Sequence, residues 1–474
     1  MYSIYDQINN RKVLVYPERK TVVTKQIDTV ELTNDQIIST YFPEDIDVIP
    51  EIYFDKVEIG EGNFIYHGDN IQVLKTIPDN SVDSVVTDPP YGLKFMGKQW
   101  DYDVPSIELW KECYRILKPG GYLLSFGSSR TYHRMAVKVE DAGFEIRDQI
   151  MWVYGSGFPK SHNVGKAVDK LQGNEREIIS IKPNHKKGMN FKYDNDKGGW
   201  LANNEIVETK GSSKLEGFGT ALKPAHEPIV MARKPFKGGV AKNVLMWNTG
   251  GINIDDCRIG NEIMITQPAG NNTVYNSTWK GVKTDPTISE GRFPANIIFD
   301  EEAGRILDEQ SGITSQGHWP KSKTTGFGNF GNGKTTYSGA GEKDNFKGGA
   351  SRFFYCPKPS KKEKEEGLTS ESVIVKGRDE GQNKRKVPHK LRDNKRKNIH
   401  ATIKPVSLMK YLIRLVTPKN GTTVDPFFGS GTTGKSAIKE SNYKFIGIEK
   451  EKEYFDIAVE RCQYENNQSI KVAA

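Results

Sequence analysis

Cysteine is scarce in this 474-residue chain, which has four cysteines, Cys113, Cys257, Cys356 and Cys462, and no C-x-x-C pair. Their scatter disfavours a disulfide scaffold and a cysteine-ligated zinc site, so we expect no metal and a reducing, cytoplasmic compartment. An uninterrupted apolar run of the roughly 20 residues that a membrane helix needs is missing as well. The first residues also lack a basic stretch followed by an apolar core, so neither a membrane span nor a secretory signal is expected.

Most of the chain has little excess charge of either sign. The whole sequence has 68 Lys and Arg against 60 Asp and Glu, a net charge of +8. Residues 357–404 alone hold 15 basic and 7 acidic residues, which is again +8. A localised basic stretch is typical of a protein that binds a phosphate backbone, and a solvated linker is the alternative interpretation.

Strand and helix patterns alternate in two separated parts of the chain, residues 63–154 and 405–449. Such alternation predicts an α/β fold, with a mostly parallel sheet and helices on both of its faces. The residues between the two parts are irregular, apart from one predicted strand at 227–234. Residues 311–350 are poor in aliphatic side chains and rich in glycine, which predicts a mobile loop.

A glycine-rich turn follows the strand that ends at Asp425. The run from Gly429 to Ser436 matches the phosphate-loop pattern G-x-x-x-x-G-K-S, so a nucleotide triphosphatase is one hypothesis. Only 38 residues follow Ser436, too few for the rest of such a core. The next strand ends in Glu449, twenty residues after Gly429, which is the spacing at which an acid binds ribose hydroxyls. Phe427 and Phe428 offer apolar surface beside the turn. We therefore favour a nucleoside site.

The second motif is Asp88-Pro89-Pro90-Tyr91, directly after an apolar strand and therefore at the carboxyl edge of the predicted sheet. The two prolines remove two N–H donors from the backbone. A carboxylate, free carbonyls and an aromatic ring remain. This set of acceptors suits a substrate with an NH₂ group on a flat ring, and a tight structural turn is the alternative.

The two motifs together resemble the amino-methylating DNA methyltransferases that use S-adenosylmethionine. Asp-Pro-Pro-Tyr is the catalytic motif of that family, and Asp-Pro-Phe-Phe-Gly-Ser-Gly is its cofactor motif. The catalytic motif comes first here, which resembles the beta subgroup, a circular rearrangement of the common Rossmann-like fold. The segments Gly68-Asp69-Asn70 and Asn398–Pro405 are similar to further cofactor segments of the family. Residues 352–356 resemble those of long prophage-type members.

This resemblance implies a site-specific enzyme that transfers a methyl group from S-adenosylmethionine to a flipped base in double-stranded DNA. Its catalytic residues are Asp88, Pro89, Pro90 and Tyr91. The cofactor-binding residues that it implies are Asp69, Asn70, His400, Thr402, Lys404, Pro405, Asp425, Phe427, Phe428, Gly429, Ser430, Gly431, Thr432 and Glu449.

The resemblance also bears on the target atom. Asp88 and the carbonyl of Pro89 would accept hydrogen bonds from the two N–H groups of the amine, and Tyr91 would stack on the base. Aspartate as the first motif residue favours the N6 amine of adenine, and the N4 amine of cytosine is the alternative. Methylation of cytosine C5 needs a thiolate, and no cysteine lies beside either motif.

The remaining expectations concern DNA contacts. Trp152, Gly157 and Pro159 lie where the family lines its base pocket. Phosphate contacts and salt-dependent binding are expected from the basic residues Lys384, Arg385, Lys386, Lys395, Arg396 and Lys397. A homodimer, a cognate restriction endonuclease and a bacterial or phage-infected cell are also expected.

The predicted organisation has four parts. Residues 1–60 form an N-terminal extension without an assigned role, and residues 61–165 form the catalytic half. Residues 166–395 form a target-recognition insertion, within which 226–235 is a strand of the catalytic domain. Residues 396–474 form the cofactor-binding half.

Overall fold

The computed structural model describes 54–93, 101–157, 161–183, 205–266, 287–315, 347–357, 362–369, 395–400 and 402–473, with short strands elsewhere. The strands are β1 Tyr2–Asp6, β2 Arg11–Tyr16, β3 Thr21–Val23, β4 Thr29–Glu31, β5 Asp55–Glu58, β6 Phe64–His67, β7 Val82–Thr87, β8 Leu117–Phe126, β9 Glu145–Val153, β10 Glu177–Pro183, β11 Asn190–Asp194, β12 Gly199–Asn203, β13 Glu205–Lys210, β14 His226–Arg233, β15 Ile259–Thr266, β16 Thr287–Arg292, β17 Ile297–Phe299, β18 Thr314–Ser315, β19 Lys347–Gly348, β20 Val373–Ile374, β21 Lys395–Arg396, β22 Thr422–Asp425 and β23 Lys444–Glu449.

The helices are α1 Asn70–Lys75, α2 Ile107–Ile116, α3 Tyr132–Asp141, α4 Val164–Gln172, α5 Val240–Trp247, α6 Glu301–Ser311, α7 Val406–Val416, α8 Thr432–Glu440 and α9 Lys452–Ala473. Short 3-10 turns lie at Asp255–Cys257, Ala350–Phe353 and Lys362–Lys364. Of these described helices, none combines the length and the apolar character needed to cross a membrane.

The chain divides into two compact units. The first contains residues 1–150, 228–296 and 357–474, and the second contains 151–227 and 297–356. The predicted insertion at 166–395 is thus divided between the two units, since residues 228–296 belong to the first.

The first unit is built around a sheet with the strand order β14-β8-β7-β22-β23-β6-β5. Its inner strands β8, β7, β22, β23 and β6 run parallel, and β14 and β5 add antiparallel strands at either side. Strand β22 lies directly beside β7, with Val424 opposite Val85. The two separated parts of the chain therefore form one sheet, which confirms the predicted α/β fold with circularly rearranged motifs.

Helices cover this sheet because their apolar residues recur at helical spacing. Helix α2 begins after Ser106, whose hydroxyl accepts a bond from the Leu109 N–H at 3.3 Å, and it buries Leu109, Trp110, Cys113 and Ile116. Helix α7 buries eight of its eleven residues, so it is a core helix rather than a surface one. The predicted helices and strands of both α/β parts are confirmed.

The N-terminal residues were predicted to have no motif, and the structure describes a small sheet there. Strands β1, β2, β3 and β4 form an antiparallel meander in that order. Its short strands were not recognised because their apolar residues are interrupted by many charges.

The second unit contains β17, which pairs in parallel with residues 151–153 of β9 so that Ile298 lies opposite Trp152. It also contains the antiparallel pairs β10–β13 and β11–β12. Arg176 joins α4 to this region through Asp169 and Glu216, with an Arg176–Glu216 distance of 2.7 Å. Most of the predicted loop at 311–350 lies outside the described residues.

Candidate active site

The Asp-Pro-Pro-Tyr motif begins where β7 ends, and its two polar side chains contact each other. The Tyr91 hydroxyl donates a hydrogen bond to Asp88 Oδ1 at 2.7 Å. Lys404 approaches the same pair, and its Nζ donates to Asp88 Oδ2 at 2.6 Å and to the Tyr91 hydroxyl at 3.1 Å. The Lys404 side chain is only 8% exposed. The resemblance assigned Lys404 to the cofactor, whereas the structure pairs it with the carboxylate of Asp88.

A cavity of about 200 Å³ lies next to this motif. Its lining residues come from both α/β parts of the first unit, and they are Asn70, Ile71, Pro90, Asp103, Pro105, Ser106, Leu109 and Phe427. Asn70 also bridges the two parts, because its amide donates to the Pro426 carbonyl at 3.1 Å. The cavity therefore brings together one residue from each of the two motifs, Pro90 and Phe427, as well as the predicted Asn70.

Asp425 ends β22 as a buried carboxylate. It accepts bonds from the hydroxyls of Thr87 at 2.6 Å and Thr433 at 2.5 Å, and from the Phe427 N–H at 3.0 Å. Burial raises the pKa of Asp425 to about 6, although these donors act in the opposite direction. The contact with Thr87 holds the end of β7 beside the start of the glycine turn.

Glu449 lies on the other side of the turn, as its spacing predicted. Its two carboxylate oxygens accept from the backbone N–H groups of Gly429 at 2.7 Å and Glu451 at 2.8 Å. Burial raises the pKa of this carboxyl group to about 7. The backbone of Lys450 also contacts this carboxylate, and the lone-pair capacity that remains can accept a hydroxyl donor.

Phe427 and Phe428 have different surroundings. Phe427 lines the cavity. Phe428 is 3% exposed and stacks on Phe445, with ring centroids 5.6 Å apart. It also packs over Gly447, where an added Cβ would lie 2.5 Å from the ring. The ring of Phe428, predicted to offer apolar surface beside the turn, therefore lies in the core.

Ser430 and Thr432 were predicted to contact the cofactor, but a buried arginine contacts both from α9. One guanidinium nitrogen of Arg461 donates to the Ser430 hydroxyl at 3.0 Å and to its carbonyl, and lies 3.5 Å from the Thr432 hydroxyl. Arg461 is fully buried. These two hydroxyls thus hold the turn to α9, and sequence reasoning missed Arg461 because an arginine in a helix usually marks a solvated face.

The structure shows local contacts for the other residues that were predicted to bind the cofactor. Asp69 caps helix α1 by accepting from the N–H groups of Ile71 and Gln72. His400 packs edge-on against Tyr454, and its Nδ1 lies 2.5 Å from the Thr402 carbonyl oxygen. Burial lowers the pKa of His400. Pro405 immediately precedes α7.

The phosphate-loop hypothesis depends on Lys435, which should reach bound phosphates from the turn. In the structure, the Lys435 side chain instead contacts two glutamates. Lys435 is fully buried, and its Nζ pairs with Glu366 at 2.7 Å and Glu465 at 3.4 Å. The hydroxyl of Ser436 likewise donates to the Thr432 carbonyl within α8. Neither side chain is directed towards a phosphate bound at the turn. The match to the phosphate-loop sequence pattern therefore does not produce a phosphate-binding site.

The predicted DNA-contacting residues are only partly described. Trp152 and Gly157 belong to the second unit, and an added Cβ at Gly157 would overlap the Pro224 carbonyl. Lys397 Nζ donates to the Leu368 carbonyl at 2.7 Å. Residues outside the description are Pro159, Lys384, Arg385, Lys386 and the side chains of Lys395 and Arg396.

Asp101 belongs to the site but was not predicted. Its carboxylate accepts from the backbone N–H groups of Tyr91, Gly92 and Leu93. A loop carboxylate that contacts backbone groups has no sequence signature that distinguishes it from a surface acid.

Comparison with known proteins agrees with this geometry. The family model described as DNA methylase, for the N6- and N4-methylating enzymes, matches residues 82–172 and 164–460. These residues include both motifs and most of the chain. The chain therefore belongs to the N6/N4 DNA methylase family.

Two curated relatives are type II methyltransferases of Haemophilus influenzae. M.HinfI is 42% identical over 112 residues, which cover 19% of this chain and 31% of the relative. M.HindIII is 49% identical over 71 residues, which cover 15% of this chain and 23% of the relative. The chain thus spans less than a third of the length of either relative.

Two solved structures are also similar. The complex of M1.HpyAVI with SAM has a TM-score of 0.33 and 17% identity, and covers 84% of this chain and 98% of the other. The cytosine-N4-specific PvuII DNA methyltransferase has a TM-score of 0.35 and 13% identity, and covers 87% and 97%.

Proposed function

We propose that this protein transfers a methyl group from S-adenosylmethionine to the N6 amine of an adenine flipped out of double-stranded DNA. The observation that carries the proposal is the pairing of Asp88 with Lys404 and Tyr91 beside a cavity reached by Phe427. A carboxylate acceptor for the amine, next to a cavity bounded by the cofactor motif, is what amine methylation requires.

The cofactor is supported by the chemistry of the residues around the turn. Glu449 would accept from ribose hydroxyls, Asn70 and Phe427 would line the nucleoside, and the glycines of the turn allow close backbone approach. When bound, S-adenosylmethionine supplies an electrophilic methyl group.

The chain's own residues act on the target base. An adenine amine is a weak nucleophile because its lone pair is delocalised into the ring. Hydrogen bonds to Asp88 and to the Pro89 carbonyl localise that lone pair on nitrogen, and the ring of Tyr91 stacks on the base. The base must first leave the helix, since its amine is paired inside the duplex. Positioning and electrostatics then supply the rate.

Lys404 and Tyr91 both occupy Asp88 before the target amine binds. Its ammonium group lies 2.6 Å from Asp88 Oδ2, and the Tyr91 hydroxyl lies 2.7 Å from Oδ1. Both Asp88 oxygens, one of which would accept from the target amine, thus have a donor already. The incoming amine must therefore displace one of these two donors.

Cofactor affinity is expected to depend on pH through Glu449. The folded-state pKa of this group is raised to about 7, so its carboxylate is present above pH 7 and is lost as the pH falls through that value. Protonation removes acceptor capacity, so we expect S-adenosylmethionine binding to weaken about tenfold between pH 8 and pH 6, as expected for the loss of one charge-assisted hydrogen bond.

Calorimetric titration across this range measures the effect. Asp425 also titrates near this window, with a pKa of about 6, so a variant must separate the two groups. Glu449→Gln is the control, because its weak affinity should be flat between pH 6 and pH 8. An unchanged slope in Glu449→Gln would assign the titration to another group.

The N4 amine of cytosine remains the alternative target, because it presents the same two donors. Single-molecule sequencing of DNA from cells that express the protein would identify the modified base, its atom and the recognition sequence together. Modified cytosine N4 without adenine N6 would overturn the adenine assignment, and unmodified DNA would overturn the activity.

The phosphate-loop alternative is tested by equilibrium binding. S-adenosylmethionine should bind in the absence of Mg²⁺, and ATP should not bind with or without it. Tight Mg²⁺-dependent ATP binding would favour the triphosphatase hypothesis instead.

The predicted insertion is proposed to read the recognition sequence, and the basic stretch to contact phosphates. A homodimer and a restriction endonuclease partner are proposed on the resemblance alone.

A further inference from the structure

We propose that Asp101 is a positioning residue for the target base and acts through Tyr91. This inference rests on the proposed methyl transfer, because it concerns the residue that would stack on the flipped base. It assigns a specific task to a carboxylate that belongs to neither motif.

The contacts of Asp101 are directed at one short piece of backbone. Its Oδ1 accepts from the N–H groups of Tyr91 at 2.7 Å and Gly92 at 2.9 Å, and its Oδ2 accepts from Leu93 at 3.2 Å. The residue is 2% exposed. A buried carboxylate that accepts three backbone donors is a strong and directional anchor, because charge-assisted bonds are stronger than neutral ones.

The anchored segment needs such an external acceptor. Pro89 and Pro90 have no N–H, and the chain turns sharply at Gly92, which has φ +68°. A side chain at Gly92 would be strained, and its Cβ would lie 3.1 Å from the backbone of Asp103 and Val104. Within this turn the three consecutive N–H groups point to one side, where Asp101 receives them.

Both backbone polar groups of Tyr91 are therefore held by side chains. Asp101 holds its N–H, and the Thr131 hydroxyl donates to its carbonyl oxygen at 2.7 Å. The side chain then extends from a fixed backbone to place its hydroxyl 2.7 Å from Asp88. Asp101 thus sets the position of the aromatic ring without contacting the substrate.

The first test is Asp101→Asn, which keeps the volume and replaces one acceptor oxygen with a donor that opposes a backbone N–H. We expect kcat to fall about 100-fold, since a misplacement of about 1 Å can cost that much. S-adenosylmethionine affinity, measured by calorimetry, should change less than threefold, because Asp101 does not line the cavity. Asp141→Asn, an exposed acid on α3, is the matched control and should behave as wild type.

A spectroscopic readout follows the base itself. DNA carrying 2-aminopurine at the target position, as defined by modified-base sequencing, should stay weakly fluorescent when wild type flips it, because stacking on the Tyr91 ring quenches the probe. If Tyr91 is displaced, Asp101→Asn should bind this DNA with brighter emission. Thr131→Val, a milder change at the carbonyl of the same residue, should shift the emission in the same direction.

A double-mutant cycle separates positioning from general stability. If Asp101 acts through the Tyr91 ring, Asp101→Asn should change kcat and probe emission less than about threefold in a Tyr91→Ala background, since the two changes share one path. A full additional loss in that background would overturn the proposal, and so would wild-type kcat and emission in Asp101→Asn. Failure of the proposed function is distinct, because wild type itself would then leave DNA unmethylated.

Discussion

Replacing Asp88 with alanine is expected to reduce methyl transfer by about 10³-fold or more, in the range seen when one electrostatic group is removed from an active site. The variant loses the acceptor that localises the amine lone pair. Cofactor affinity should stay near the wild-type value, because the cavity is lined by Pro90 and Phe427 and not by Asp88. Incorporation of labelled methyl groups into DNA and calorimetric binding of S-adenosylmethionine measure the two quantities.

Lys404 provides the control for folding in this experiment. Its ammonium is 8% exposed and would lose its carboxylate partner at 2.6 Å, which destabilises a buried cation. The double variant Asp88→Ala, Lys404→Met should recover thermal stability but not activity. A loss of cofactor affinity in Asp88→Ala as severe as that of a Gly431 variant would contradict the catalytic role.

Replacing Gly431 with alanine is expected to have the complementary effect and to abolish cofactor binding at ordinary concentrations. Gly431 has φ +79°, and an added Cβ would lie 3.0 Å from Cα and Cβ of Ala458. The backbone conformation alone costs about 1–3 kcal/mol for a residue with a side chain. Because Ala458 belongs to the packed helix α9, the turn must move. The N–H of Gly429, which donates to Glu449, moves with it.

Gly173→Ala is the matched control for this change. Gly173 has φ +69°, but its Cβ would meet nothing within 4 Å. It therefore carries the conformational cost without the collision, in the other compact unit. We expect its cofactor affinity to be that of wild type. Normal S-adenosylmethionine affinity in Gly431→Ala would show that the turn is not part of the cofactor site.

Much of the fold could be predicted, because the periodic pattern of apolar residues determines where its strands and helices form. The strands ending at Thr87, Asp425 and Glu449 were found from short apolar runs followed by a polar residue. Their carboxyl ends meet at one edge of a parallel sheet, so strand ends 338 residues apart could be placed together, and Thr87 does contact Asp425.

The unpredicted features depend on side-chain direction in three dimensions. Neighbouring residues Phe427 and Phe428 face a cavity and a core respectively, and composition cannot separate them. Lys435 satisfies a phosphate-binding pattern letter by letter, yet its neighbours Glu366 and Glu465 draw it into an ion-pair cluster. Asp101 acts on backbone N–H groups, which every residue but proline presents alike.

The pairing of β22 with β7 has a consequence for how the protein is made. Strand β7 emerges from the ribosome long before its neighbour, and Asp88 must wait for Lys404, which follows it by 316 residues. Such distant pairings are slow to form, because the closure of a long loop precedes any gain from contacts. A growing chain therefore carries a half-built sheet with an open edge, and catalytic competence arrives only with the second half.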